Sequence, residues 1–405
     1  MRMKRNLNSK LSQNYHNIPR SFVREILNVA NQPNMISFAG GLPNPAFFPV
    51  EKLEESAQRV LSQHGKAVLQ YAGSKGYLPL RQWIADRYNT KYGLNLSPEN
   101  ILTTNGSQQA IDMVSKLFLN PGDGVILEQP SYLGAIQALS AYSPTFHEVE
   151  LMQDGPNLEQ VEQHMTRTNA KFMYAIPNFQ NPSGICYSLE KRQKLAEMLI
   201  RHDLFLLEDD PYNEIQFSGE VLPPVYKFAP DRVIWSGSFS KMIAPGLRTG
   251  WLVLPDALVP CIDKVKQSTD LHSNNLTQYM LHDFLSHNNI DAHLNVIKTA
   301  YRQQCQHMRA LLERELPNGV NATNPCGGLF LWLTLPEELN SEELVQPSLE
   351  KGVIFVPGRS FYTNGRGAQN IRMNFSNASL TQIEKGMKLL GQVMAEQKKL
   401  AIVEI

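Results

Sequence analysis

Between about Asn100 and Pro255 the chain alternates short, continuous apolar runs with longer stretches of helical periodicity. The runs are ILTT (Ile101 to Thr104), VILE (Val125 to Glu128), FMYAI (Phe172 to Ile176), LFLLE (Leu204 to Glu208) and VIWS (Val233 to Ser236). Because they do not alternate with polar residues, they read as strands covered on both faces. Such strands separated by helices predict a mostly parallel α/β sheet. GWLVLP (Gly250 to Pro255) follows VIWS after a link too short for a crossover helix, so it is predicted to run antiparallel or to lie elsewhere in the sheet. Helical patterning from about Asn275 to Glu315 then leads into GLFLWLTL (Gly328 to Leu335), GVIFVP (Gly352 to Pro357), NIRMNFS (Asn370 to Ser376) and a last helix from about Thr381. Strands with a covering helix predict a smaller α+β unit. The stretch through the turn-rich GGLPNPAFFP (Gly40 to Pro49) has no core of its own and is expected to pack on the rest. The reading divides the chain into an N-terminal segment (1–50), a large domain (51–300) and a small C-terminal domain (301–405).

Length and composition agree with this division. A chain of 405 residues exceeds one comfortable core, and 42% hydrophobic with 19% charged residues is ordinary for a globular protein. Lys plus Arg and Asp plus Glu both number 38, so no whole-molecule field draws nucleic acid or an anionic membrane, and any anion site must be local. The four cysteines form no C-x-x-C pair and no disulfide framework, which argues against a metal centre and suits a reducing cytoplasm. The basic start MRMKRNLNSK runs into the polar LSQNYHN where a signal peptide would need an apolar run. Nowhere do about 18 consecutive apolar residues occur, as a spanning helix requires.

The candidate chemistry gathers just after the predicted strands, where α/β folds place ligands. SGSFSKMIAPGLRTG follows VIWS and brings together Ser238, Ser240, Lys241 and Arg248: two hydroxyls and a guanidinium for a phosphate, and an amine that can reach an aldehyde. LFLLE runs into EDDPYNE, which offers Asp209 and Tyr212; FMYAI runs on into QNPSGI, with Asn181 before Pro182. A carboxylate, a phenol and an amide at one sheet edge suit a protonated pyridine nitrogen and its neighbouring phenolate oxygen. Taken singly, the same residues read as a turn former, a packing aromatic and a turn. After ILTT, Asn105-Gly106-Ser107 opens an amphipathic helix whose free N–H groups face outward beside a hydroxyl. That is either an anion site or a plain serine cap, and it lacks Walker-loop spacing.

With these segments in order, the chain resembles the fold-type I pyridoxal-phosphate aminotransferases of class I/II along nearly its whole length. The resemblance is strongest to the 2-aminoadipate and kynurenine aminotransferase group. It is carried by ISFAGGLPNPAFFP, LQYAGSKGYLPLR, TTNGSQQAIDMV, QPSYLGAIQAL, PNFQNPSG, EDDPY, SFSK and NIRMNFS. Each motif is short and common; the ordered conjunction of Asn181, Asp209, Tyr212, Ser238, Ser240, Lys241, Arg248 and Arg372 is specific. The resemblance implies that Lys241 binds the aldehyde of pyridoxal 5′-phosphate covalently and that Asp209 pairs with the ring nitrogen. It further implies that Asn181 and Tyr212 hold the ring oxygen and that Tyr132 lies against the ring face. Ser107, Gln108, Ser238, Ser240 and Arg248 would hold the phosphate, helped by Tyr71 from the neighbouring subunit of a homodimer. Arg372 would clamp the substrate α-carboxylate with Gly41 alongside, since a planar guanidinium meets a carboxylate bidentately. No metal is implied.

The implied reaction moves an amino group from an amino acid to a 2-oxo acid such as 2-oxoglutarate by a ping-pong cycle. In SFVREILNV, Arg24 falls where aminoadipate-using members carry an arginine for a distal carboxylate, with Arg20 a nearby competitor; either also reads as a surface helix residue. β-Lyases, decarboxylases and synthases share the cofactor residues and form the alternative reactions. Transcription regulators built on this domain carry an N-terminal winged helix. Only about forty residues precede GGLPNP here and the charge is balanced, so that module is not expected.

Overall fold

The computed structural model describes residues 7–19 and 35–403. Fourteen strands occur among them: β1 (Ile36–Ser37), β2 (Ile101–Thr104), β3 (Gly124–Gln129), β4 (Thr145–Met152), β5 (Gly155–Pro156), β6 (Ala170–Ala175) and β7 (Phe205–Asp209), then β8 (Val233–Ser238), β9 (Gly250–Val253), β10 (Asn321–Ala322), β11 (Phe330–Thr334), β12 (Val353–Ile354), β13 (Val356–Pro357) and β14 (Asn370–Asn374). The large sheet has the order β2-β9-β8-β7-β6-β3-β4-β5. Strands β8, β7, β6, β3 and β4 are parallel, whereas β9 is antiparallel to both β8 and β2. The short link after VIWS therefore returns the chain antiparallel. β2, flipped back by β9, again points the same way as β8, so the carboxyl ends of β2, β6, β7 and β8 meet at one edge.

Successive residues of the central strands feed two different cores, which explains why no polar alternation marks them. Phe172 and Tyr174 pack into one cluster with Ile111, Val114 and Ile262, while Met173 and Ala175 join the opposite one with Ile84, Leu199 and Phe284. Helices Ser107–Phe118 and Val259–Thr269 cover the first face; Leu78–Tyr92, Leu189–Arg201 and Asn275–His287 cover the second. Full burial of each such apolar side chain contributes about 1.5–3 kcal/mol.

The helical stretch after the sheet is two helices, Asn275–His287 and Ile290–Glu315, broken at Asn288-Asn289 where the Asn289 side chain caps the second. That second helix runs unbroken through residues 300 and 301. The small antiparallel sheet has the order β10-β11-β14-β13 and is backed by the last helix, Leu380–Val403. GVIFVP serves two sheets: β13 joins the small one, while β12 pairs in parallel with β1. The segment after β1 is sewn to its neighbours by the N–H of Asn374 donating to the Phe38 carbonyl (2.7 Å), Ser376 Oγ to the Leu42 carbonyl (3.0 Å) and the N–H of Asn44 to Tyr301 Oη (3.0 Å).

Candidate active site

Asp209 is the last residue of β7, and Ser236 stands opposite it in register on β8. Ser236 Oγ donates to Asp209 Oδ1 (2.6 Å) and Tyr174 Oη, from β6, donates to Oδ2 (2.8 Å). Burial raises the Asp209 carboxyl to about 6 despite these two donors. Three residues on, the Tyr212 hydroxyl accepts from Asn181 Nδ2 (3.3 Å), and Asn181 Oδ1 accepts from Arg372 Nη1 (2.9 Å) on β14. Arg372 also donates to the Ala39 carbonyl (2.6 Å), and its guanidinium carbon lies 4.3 Å from the centroid of Phe330 and 5.0 Å from that of Phe361. Its buried Nε has no partner among the described residues. Burial lowers Arg372 to about 10, a value at which it still stays charged at neutral pH.

Lys241 lies three residues past the end of β8, behind the fully buried Phe239. Its Nζ donates to the Gly41 carbonyl (2.7 Å). Burial, then the positive charges of Arg372 and Arg248, lower its pKa to about 8. Only the neutral amine attacks an aldehyde. The rate of pyridoxal phosphate capture by the cofactor-free protein is therefore expected to rise with pH through about 8 and level off above it. Stopped-flow absorbance between pH 6 and pH 10 checks this; a rate still climbing at pH 10 would mean an unperturbed lysine.

A further set of groups on the same cavity is suited to an anion. Gly106 precedes the Ser107–Phe118 helix at φ +83°, and a Cβ there would stand 2.5 Å from Arg248 Nη2. Only glycine lets the guanidinium lie across this turn. Arg248, itself left-handed at φ +45°, donates to the Asn105 carbonyl (3.0 Å). No side chain caps the helix start. The buried Ser107 hydroxyl lies close enough to Asp209 to favour its ionised form but makes no hydrogen bond of ordinary geometry. Ser238 Oγ and Ser240 Oγ are 2.9 Å apart, and Gln108 is anchored to the Gly134 carbonyl (2.8 Å). A helix start, three serine hydroxyls and a guanidinium gathered in this way make a cup of the kind that can hold a phosphate.

Every residue to which the resemblance assigns a role, except Tyr71 and Arg24, lines one cavity of about 260 Å³, Gly41, Tyr132 and Asn181 included. Tyr71 is 80% exposed, with its ring edge-on to His272 at 5.9 Å. Arg24 and Arg20 fall outside the described residues. Tyr174 and Ser236, the two donors to Asp209, were not legible in the sequence: each sits inside an apolar strand run, and only the order β6-β7-β8 brings them to the carboxylate.

Residues 34–390 match the family model for aminotransferase class I and II, and the chain belongs to that family. It is 39% identical to a 2-aminoadipate transaminase of Thermus thermophilus over 93% of this chain and 94% of that one. It is 36% identical to aromatic-amino-acid aminotransferase 1 of Thermococcus litoralis over 94% and 92%. The crystal structure of an α-aminoadipate aminotransferase of Thermus thermophilus, complexed with N-(5′-phosphopyridoxyl)-L-leucine, superposes with a TM-score of 0.91 at 37% identity, covering 97% of this chain and 99% of that one. The fold is that of the fold-type I pyridoxal-phosphate enzymes, the protein is an aminotransferase and its cofactor is pyridoxal phosphate. The residues fit that group. A half-buried amine and a buried carboxylate line one cavity, and its wall also carries the unpartnered Ser107 hydroxyl at a helix start and the Arg248 guanidinium. Among the described residues no helix is long and apolar enough to cross a membrane.

Proposed function

We propose that the protein transfers the amino group of 2-aminoadipate or glutamate, within a wider set of aromatic and aliphatic donors, to 2-oxoglutarate by a ping-pong cycle in the cytoplasm. The observation that carries this reading is the meeting of Lys241 and Arg372 in one cavity: an amine of lowered pKa beside a guanidinium with an unpartnered Nε. When bound, pyridoxal phosphate supplies an electron sink for the substrate α-carbon and an aldehyde that carries the amino group between half-reactions.

The chain's own residues do the rest. Arg372 receives the α-carboxylate beside the Gly41 backbone, and so orients the α-carbon toward Lys241. Lys241, freed by the incoming amine, moves a proton between the α-carbon and C4′ of the cofactor. Asp209 holds a proton at the ring nitrogen. Asn181 and Tyr212 hold the ring oxygen, and Tyr132 covers the ring face. Ser107, Gln108, Ser238, Ser240 and Arg248 hold the phosphate. The exposure of Tyr71, away from its own chain's cavity, supports its reaching the phosphate of a neighbouring subunit in a homodimer.

Similarity to a 2-aminoadipate transaminase supports dicarboxylic donors, and similarity to an aromatic-amino-acid aminotransferase supports the wider set; Arg24 is the residue proposed to read a distal carboxylate. A panel of amino donors with 2-oxoglutarate and with pyruvate tests this. 2-Aminoadipate and glutamate should give the highest kcat/KM with 2-oxoglutarate; a preference for neutral donors would overturn it. Arg24→Gln should raise KM for the dicarboxylic donors about tenfold, the size of one charge-assisted contact, and leave leucine unchanged. An equal change for every donor would put Arg24 outside the side-chain pocket.

A further inference from the structure

Behind the phosphate cup lies a second layer of polar side chains that none of the roles above uses. Lys266, in the last turn of the Val259–Thr269 helix, is fully buried. Its ammonium donates to Gln109 Oε1 (2.9 Å), Ser273 Oγ (2.8 Å) and Asp270 Oδ2 (3.0 Å). The same Asp270 oxygen accepts from Asn105 Nδ2 (2.7 Å) and Gln109 Nε2 (2.6 Å). Gln109 Oε1 in turn accepts from the backbone N–H of Asn105 (2.8 Å), while the Asn105 carbonyl receives Arg248 Nη2 from the cavity side (3.0 Å). Ser273 Oγ passes the chain of bonds on to the Thr103 carbonyl at the end of β2 (3.1 Å).

The helix that carries this ion pair does not account for it. A carboxylate at a helix C-terminus opposes the macrodipole, and lysine placed four residues before the acid is the less favourable order for an i,i+4 pair. Burying an ammonium is costly unless its protons all find acceptors, and here each of three acceptors lies on or next to the turn that holds the phosphate cup. Asn105 is held through its side chain by Asp270, through its N–H by the Gln109 oxygen that Lys266 anchors, and through its carbonyl by Arg248. The next residue, Gly106, is the one whose left-handed backbone sets the direction of the helix start.

We propose that Lys266 and Asp270 are positioning residues for the cofactor phosphate: together they fix the Asn105-Gly106-Ser107 turn so that the helix start and the Ser107 hydroxyl face the anion. The inference rests on the reading that Ser107 and Arg248 hold the phosphate, and the experiment separates the two. Dissociation constants of pyridoxal phosphate and of pyridoxal, which lacks the phosphate, are measured by absorbance titration of the cofactor-free protein. The forms compared are wild type, Asp270→Asn, the double variant Lys266→Met with Asp270→Asn, and Arg248→Gln. Asp270→Asn should weaken pyridoxal phosphate about tenfold and leave pyridoxal nearly unchanged. The double variant should behave in the same way, and because it leaves no unpaired buried charge it is the form to be read if the single variant does not fold. If Arg248→Gln weakens both ligands alike or neither, the phosphate reading fails. If Arg248→Gln is selective for the phosphate form and both Asp270 variants are not, the positioning role is overturned.

Discussion

Lys241→Ala is expected to lose covalent cofactor attachment and turnover together, with kcat down by about 10⁴-fold, the upper range for removal of a positioned acid–base group. Wild type treated with borohydride should retain the cofactor through denaturation, whereas the variant should release it. The case rests on exclusivity. Among the described residues Lys241 is the single lysine lining the cavity, and its Nζ is held by the Gly41 carbonyl, a bond easily exchanged for one to an aldehyde carbon. Lys266 is fully buried as well as close to the site, but its protons are taken by Gln109, Ser273 and Asp270, so it offers no free amine. A small primary amine such as methylamine should restore part of the lost rate, since the variant leaves space of about that shape. A reducible adduct that persists in Lys241→Ala would place the attachment on another residue.

What could be read from the sequence follows from how each signal is encoded. Central strands buried on both faces leave continuous apolar runs, so β2, β3, β6, β7 and β8 were visible to within one or two residues. β4 was not: it lies toward the sheet edge, mixes half-buried and exposed positions, and carries His147, Glu148 and Glu150 among its apolar residues. GVIFVP looked like one strand because Phe355, between β12 and β13, is as buried as its neighbours, and nothing local shows the chain changing sheets there. The cavity residues were legible because short loops right after strands carry them, and the loop chemistry is written in adjacent positions. Their supporting partners were not. Ser236 and Tyr174 reach Asp209 only through strand order; Asp270 reaches Asn105 across 165 residues of sequence, and Lys266 reaches Gln109 across 157.

Asp209→Asn is expected to move activity and stability in opposite directions. Among the described residues lining the cavity Asp209 is the one acid, against the cations Lys241, Arg248 and Arg372. Replacing it with an amide leaves a field that disfavours a proton on the ring nitrogen. The rate of the first half-reaction with a saturating donor should fall by about 10³-fold, comparable to loss of one preorganised electrostatic partner. The phosphate cup and Lys241 are untouched, so the variant should still bind the cofactor and still be fixed by borohydride. In the cofactor-free protein the carboxylate is a burden, because burial raises its pKa from 3.8 to about 6. An acid with a raised folded-state value loses stability as pH climbs from about 4 to 6, and the full penalty persists above that. Cofactor-free Asp209→Asn should therefore be more stable than wild type at pH 7 to 8, by up to about 3 kcal/mol, with the gap closing as pH falls through 6 toward 4. Bound cofactor should shrink or reverse that gap, because a protonated ring nitrogen favours the carboxylate that burial penalises. Thermal unfolding of both proteins with and without pyridoxal phosphate, across this pH range, measures it. A variant that is slower but no more stable in the cofactor-free state would mean that the Ser236 and Tyr174 hydroxyls already offset the burial of the charge. The lost rate would then have to come from the geometry of the carboxylate and not from its charge.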